Sequence, residues 1–404
     1  MDMGDTPPAA GDNATPLMNV ACAATVLLGE EAFRHLGHVR ILPDRSISNR
    51  DLREADALVV RSKTRVDAAL LEGTSVRFVG TATAGTDHLD VDWLSANGIA
   101  HAAAPGCNAS SVAEYVVASL FVLARRRKTT LAGKTIGIVG DGQVGSRLAR
   151  KCATLGMRVL KNDPPLAADA PDDYVSLDAL LAESDVVSLH VPLVSDGPWP
   201  TVRLADYRFF ERLKPGAWFV NAARGEVCDA DALLHARRAD LLSGVVLDVW
   251  NPEPAFRPEL LEIADLATPH VAGHSYEGKL AGTATCRRRL CEYFELPQRP
   301  LPPPVDLPAP EVELDAAGQD DEALLAAAIR SVYDPERDDR NLRAMAPLDE
   351  IERARAFDAL RGNYPVRREF SAARLRLRNA SADLKRKFAG IGFSIPSTPK
   401  GKTP

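Results

Sequence analysis

The chain has 404 residues, 46% of them hydrophobic, with a formal net charge of −6 and six cysteines. Such a length suggests two or three domains with real cores, and the acidic balance argues against nucleic acid or an anionic membrane as the main partner. No apolar run approaches the ~18 residues of a spanning helix. The cysteines (Cys22, Cys107, Cys152, Cys228, Cys286 and Cys291) show no CxxC pair or other metal spacing, so we expect a cytoplasmic protein with reduced thiols and no metal site.

In chain order, residues 1–19 are acidic, contain Pro and Gly, lack a basic start and read as a disordered tail. Residues 20–111 form a first α/β lobe. In it "DALVVRS" (56–62) and "VRFVGTATAG" (76–85) read as buried strands, and "VDAALLEG" and "VDWLSANG" as short helices closed by glycine. "SVAEYVVASLFVLARRRK" reads as a long helix, with Ser111 and Glu114 at capping-box spacing. Residues 112–275 then alternate five β-rich runs with helices: "TIGIVG" (135–140), "RVLKND" (158–163), "VVSLHVP" (186–192), "AWFVNAA" (217–223) and "GVVLDVW" (244–250). That alternation predicts a doubly wound sheet. Residues 297–310 hold seven prolines and form a stiff linker. A charged, helix-rich segment (311–393) follows, then a loose tail (394–404). The linker suggests that the last segment can be removed without harm to the lobe before it.

The chemistry starts at "GIVGDGQVGSRL", which contains Gly140-x-Gly142-x-x-Gly145. Three spaced glycines alone are weak evidence. Here they follow a β-branched strand and open a helix, and Asp163 ends the next strand 23 residues after Gly140. That context is what a dinucleotide site needs. Gly140 makes the tight turn, Gly142 admits the pyrophosphate, and Gly145 lets helix pack on strand. The amides of Gln143 and Val144 face the phosphates at the helix N-terminus. Asp163 accepts from the ribose and repels a 2′-phosphate, so NAD is the expected cofactor.

Three polar residues follow later strand ends: Arg224, Glu253 and His270. An arginine there can grip a carboxylate with two parallel N–H bonds. A histidine beside a carboxylate suits proton transfer near neutral pH. Asp248 lies nearer the expected nicotinamide. Singly each has a plain reading, as surface charge, loop acid or loop cap. Together with an NAD site they describe hydride removal from a 2-hydroxy acid.

The order of GxGxxG, Asp163, "NAARGEVCD", "VLDVWNPEP" and "PHVAGHS" resembles the D-isomer-specific 2-hydroxyacid dehydrogenases. "VRSKTRV", "FVGTATAGTDHLD", "APGCNASSVAEYV", "VYDPERDD" and "LRGNYPVRREF" resemble in particular the branch that acts in vitamin B6 synthesis, over about residues 52–393. The resemblance implies two Rossmann-like doubly wound α/β lobes, one for substrate (20–111, completed by 276–296) and one for NAD. It also implies a C-terminal α+β domain that makes a homodimer. The activity implied is NAD-dependent oxidation of 4-phospho-D-erythronate to 2-oxo-3-hydroxy-4-phosphobutanoate. Arg224, Glu253 and His270 are then the active-site residues, with His270 moving the proton. Ser62 and Thr83 match substrate-binding positions; Gln143, Val144, Asp163, Asp248 and Gly273 match NAD-binding ones. Val191 stands where a threonine lies near NAD, leaving a backbone contact, and His274 where a tyrosine touches substrate. Arg337, Arg340 and Arg343 are candidates to neutralise the substrate phosphate, a solvated charged helix being the plainer reading. A glycerate or phosphoglycerate dehydrogenase and a non-catalytic NAD-sensing protein share the catalytic motifs; the C-terminal segment speaks against both.

Overall fold

The computed structural model describes residues 18–301 and 307–395. The expected tail before Met18, the middle of the proline linker and residues 396–404 lie outside the described residues. The first strand begins at Met18, so Met18 and Asn19 belong to the sheet and not to the tail.

The chain divides into two compact units. The first runs through Ala104 and resumes at Gly282. Its strands are β1 (Met18–Ala23), β2 (Gly37–Leu42), β3 (Ala57–Val60), β4 (Phe78–Thr81) and β5 (Ala100–Ala102). They pair in parallel in the order β2-β1-β3-β4-β5. The central strands β3 and β4 are buried throughout, as apolar runs covered on both faces must be. The edge strand β2 alternates exposed and half-buried positions, and neither it nor β5 was legible in the sequence. The order reverses between β1 and β3, a switch point at whose C-terminal edge a crevice opens.

The second unit takes Pro105–Ala281 and the C-terminal segment together. Its sheet contains β6 (Thr135–Val139), β7 (Arg158–Asn162), β8 (Val186–Leu189), β9 (Ala217–Asn221), β10 (Leu242–Leu247) and β11 (Leu266–Ala267), in the parallel order β11-β10-β9-β8-β6-β7. The switch point lies between β6 and β8. Both lobes are thus parallel α/β sheets of the expected doubly wound kind.

The helix at Ala109–Arg127 is where the sequence put it, but its start differs. Asn108 precedes it and Ser111 lies inside it, so Ser111 and Glu114 form no capping box. The Ser111 hydroxyl donates to the Ala272 carbonyl (2.8 Å), and Glu114 accepts from the Phe370 amide (2.9 Å). Burial pushes the Glu114 carboxyl up to about 8. Both residues were chosen by distant contacts, which local spacing cannot reveal.

In the C-terminal segment β12 (Glu311–Asp315) pairs in parallel with β13 (Arg374–Arg378), beside helices Asp321–Val332, Pro335–Arg343, Glu350–Gly362 and Ala382–Ile391. Leu325, Ile329, Phe370, Leu375 and Phe388 join one core with Val116, Leu120, Leu148 and Cys152 of the nucleotide lobe. The buried Arg367 donates to the carbonyls of Ser111 (2.9 Å) and Ala272 (3.0 Å), its guanidinium 3.7 Å from the Tyr333 ring centre. A segment tied in this way is no removable appendage, contrary to what the linker suggested. Ser394, expected in the loose tail, donates to Ser371 O (2.8 Å).

Candidate active site

At the nucleotide end, the three fingerprint glycines do three different jobs. Gly140 has φ +92°, and a Cβ there would come within 2.8–2.9 Å of the His190–Val191 backbone across the switch point. A Cβ on Gly145 would overlap the Gly140 carbonyl oxygen. One on Gly142 would meet nothing within 4 Å. Gly142 therefore borders open space, just before the amides of Gln143 and Val144 in the first turn of the twelve-residue helix Gln143–Thr154. Asp163 accepts from the Asp141 amide (2.9 Å) and, more weakly, the Leu166 amide (3.2 Å). These bonds hold its carboxylate at the rim of a cavity of about 930 Å3, also lined by Gly140, Gly142, Tyr174, Val191 and Trp199. An open glycine edge, a helix N-terminus and a rim carboxylate fit a dinucleotide.

His190 is another candidate proton carrier by residue type alone. Burial pushes it down to about 3, and its Nε2 is paired with the Ser188 hydroxyl (2.8 Å). It stays neutral at ordinary pH and lines the same cavity as Gly140 and Asp163.

At the other end of the sheet, Arg224 follows β9, Asp248 and Glu253 follow β10, and His270 follows β11. The loops bring Glu253 and His270 together: the imidazole Nδ1 lies 2.8 Å from Glu253 Oε2 and 3.1 Å from Oε1. Nε2 is left as the ring's other reactive nitrogen. Burial acts to raise the Glu253 carboxyl, but His270, Arg361 at 3.7 Å and the Trp250 amide at 3.0 Å outweigh it and hold the group below its usual range. Glu253 is thus an anion beside the ring.

His270 sits at φ +55°, a left-handed conformation that costs a non-glycine residue of order 1–3 kcal/mol. Its neighbours hold the loop there. Asp248, 1% exposed, accepts from the amides of Val271 (2.8 Å) and Ala272 (3.0 Å) and from the Thr268 hydroxyl (2.6 Å). Thr268 in turn meets Tyr115 OH (2.7 Å), and its carbonyl accepts from the Trp250 indole (2.9 Å). Asp248, read from sequence as a nicotinamide neighbour, is seen here to anchor the loop that carries His270. A Cβ on Gly273 would meet the end of the Asn108 side chain, which would have to turn aside. His274 packs edge-on against Tyr364 (5.6 Å between ring centres). Tyr115 and Arg367 lie inside stretches quoted above and Thr268 next to one, but their anchoring role was not found from sequence, because each acts through a partner distant in the chain.

Arg224 is half-buried, with its carbonyl accepting from Asn221 (3.0 Å) and Nη1 donating to Ala223 O (2.8 Å). The C-terminal arginines are committed to protein partners. Arg343 pairs with Asp339 (3.0 Å) and donates to the Leu261 and Ala264 carbonyls, Arg337 lies 3.4 Å from Asp338, and Arg340 lies 3.8 Å from Asp334. Arg337 and Arg340 nonetheless keep 47% and 64% of their side chains exposed. In the first lobe, Ser62 follows β3 at that sheet's switch point and is exposed. Thr83 follows the adjacent β4, half-buried, its hydroxyl 2.7 Å from that of Thr81.

Comparison with known proteins agrees with this geometry. Residues 109–272 match the family model "D-isomer specific 2-hydroxyacid dehydrogenase, NAD binding domain", and residues 307–392 match a model described only as a domain of unknown function. An erythronate-4-phosphate dehydrogenase from Azotobacter vinelandii is 46% identical, over 93% of this chain and 99% of its own. One from Salinibacter ruber is also 46% identical, over 87% and 92%. Among solved structures, a D-lactate dehydrogenase from Aquifex aeolicus complexed with NAD and lactic acid aligns with a TM-score of 0.60 at 27% identity, over 69% of this chain and 96% of its own. A fingerprint with an open glycine edge, a Glu–His pair at the strand ends and identity across nine-tenths of the chain converge: the chain belongs to the erythronate-4-phosphate dehydrogenase family, within the D-isomer specific 2-hydroxyacid dehydrogenases.

Proposed function

We propose that the protein oxidises 4-phospho-D-erythronate to 2-oxo-3-hydroxy-4-phosphobutanoate in pyridoxal 5′-phosphate biosynthesis. The observation that carries the reading is the 2.8 Å pairing of His270 Nδ1 with an ionised Glu253 beside an NAD-type lobe. When bound, NAD supplies the hydride acceptor. The chain's own residues do the rest. Arg224 grips the C1 carboxylate with its planar fork. His270 Nε2 takes the proton of the C2 hydroxyl as the C2 hydrogen leaves with its electron pair. Glu253 fixes the ring's orientation and supports the positive charge it acquires. Gly142, Gln143, Val144, Gly145, Asp163 and Val191 are the cofactor contacts of this reading, while Ser62, Thr83 and His274 are its substrate contacts. Asp248 and Gly273 act by shaping the loop that carries His270.

We also assign the protein to the cytoplasm, as a homodimer through residues 311–393. Among the described residues no helix is long and apolar enough to cross a membrane. Steady-state turnover with NAD tests the substrate. We expect kcat/KM for 4-phospho-D-erythronate to exceed that for D-glycerate and 3-phosphoglycerate by at least about a hundredfold, the discrimination a site built for the extra polar groups can reach. Equal or better turnover of either rival would reassign the substrate, and no turnover of any of them would favour an NAD-sensing role.

A further inference from the structure

Residues 307–392 match a domain of unknown function, and solved formate and D-lactate dehydrogenases use 96–97% of their own length to cover only 69–70% of this chain. About three-tenths of the chain therefore has no counterpart in them. One side chain of the C-terminal segment reaches the catalytic pair. Arg361, in the last turn of helix Glu350–Gly362, places Nη1 3.7 Å from Glu253 Oε2, the same oxygen that faces His270 Nδ1 at 2.8 Å. Arg361 is only 14% exposed and Glu253 20%, so water screens the pair weakly.

The placement of Arg361 is built rather than incidental. A chain of rings, Trp250 to Phe256 (5.1 Å) to Phe357 (5.6 Å), ties the helix to the loop that carries Glu253. Phe357 lies one turn before Arg361, whose guanidinium stands 5.9 Å from that ring. At the start of the same loop the Trp250 amide donates to Glu253 Oε1. On the far side of His270, Asp248 is engaged with Thr268, Val271 and Ala272. The groups facing the carboxylate are thus His270 from the loop after β11, the Trp250 amide from its own loop, and Arg361 from the C-terminal helix.

We propose that Arg361 is a positioning residue of the active site, through which the C-terminal segment holds Glu253 aligned on His270. The segment is then part of the catalytic apparatus of its own chain, whatever else it does in assembly. The inference rests on the assignment of His270 and Glu253 made above. Removing the cation favours protonation of whichever member of the coupled pair titrates, so the acid limb of the activity profile moves up in either case.

The test compares Arg361→Gln and Arg361→Lys with the parent full-length enzyme: kcat/KM against pH, NAD binding by fluorescence titration, and thermal melting. Arg361→Gln is expected to raise the apparent acid-limb pKa by about half a unit or more, with NAD affinity unchanged within about twofold. Arg361→Lys keeps the charge and should move the limb back toward the parent. A limb that stays put in Arg361→Gln, or moves equally in both variants, overturns the proposal. His270→Asn, run alongside, separates the two levels. If it turns over normally, the site assignment itself fails. If it is inactive while the Arg361→Gln profile overlays the parent, only the role of Arg361 fails.

Discussion

His270→Asn is expected to bind NAD as the parent does and to turn over at least about a hundredfold more slowly, the usual worth of a positioned general base. Asparagine preserves a polar group of similar reach and can accept from the loop, but it cannot take a proton. The cofactor contacts follow β6, β7 and β8, whereas His270 follows β11, so binding and chemistry should separate. Single-turnover kinetics with a parallel binding titration measures both. If His274→Asn abolished turnover while His270→Asn did not, the roles of the two histidines in "PHVAGHS" would be reversed. The structure argues against that, since Glu253 faces His270, whereas His274 packs its ring on Tyr364.

Ending the chain at residue 306 is expected to destroy the nucleotide lobe rather than release it. Helices Asp321–Val332 and Pro335–Arg343 cover the helix Ala109–Arg127, and Ala382–Ile391 covers Gln143–Thr154. Each large apolar side chain of the retained lobe returned to water forfeits about 1.5–3 kcal/mol. Exposing four of them would match the ~5–15 kcal/mol net stability of a typical protein. Polar losses add to this. Glu114 would lose the Phe370 amide, and buried Lys151 would lose the Ile391 carbonyl it meets at 2.5 Å. We expect the truncated chain to aggregate or to melt at least about 10 °C lower, with NAD binding lost. A melt within a few degrees of the full-length protein would show that the shared core contributes little.

What could be read from the sequence follows from range. β6, β8 and β9 announce themselves because a strand covered on both faces is buried at every position and mostly apolar, with only Thr135, Ser188 and Asn221 as polar exceptions. The fingerprint is local too, since Gly140, Gly142 and Gly145 all serve one turn. Arg224, Glu253 and His270 were found because each closes a strand whose end is visible. The edge strand β2, half exposed, carries no such pattern. Ser111 and Glu114 imitate a capping box, yet their partners lie 161 and 256 residues away. Arg361 and Glu253 are likewise far apart in the chain, and although Arg361 lies in the quoted stretch "LRGNYPVRREF", nothing local says which acid it meets. The linker misled for a related reason. Proline marks a break in secondary structure, not a break in the core, and Phe370 and Phe388 cross that break in space.

The central claim is that hydride leaves C2 of a phosphorylated 2-hydroxy acid for NAD under the control of His270. Turnover of 4-phospho-D-erythronate deuterated at C2, with mass analysis of the reduced cofactor, tests it most directly. One deuterium is expected in each reduced nicotinamide, none exchanged into water, with that transfer lost in His270→Asn. Deuterium found in solvent, or an unlabelled reduced cofactor, would contradict it.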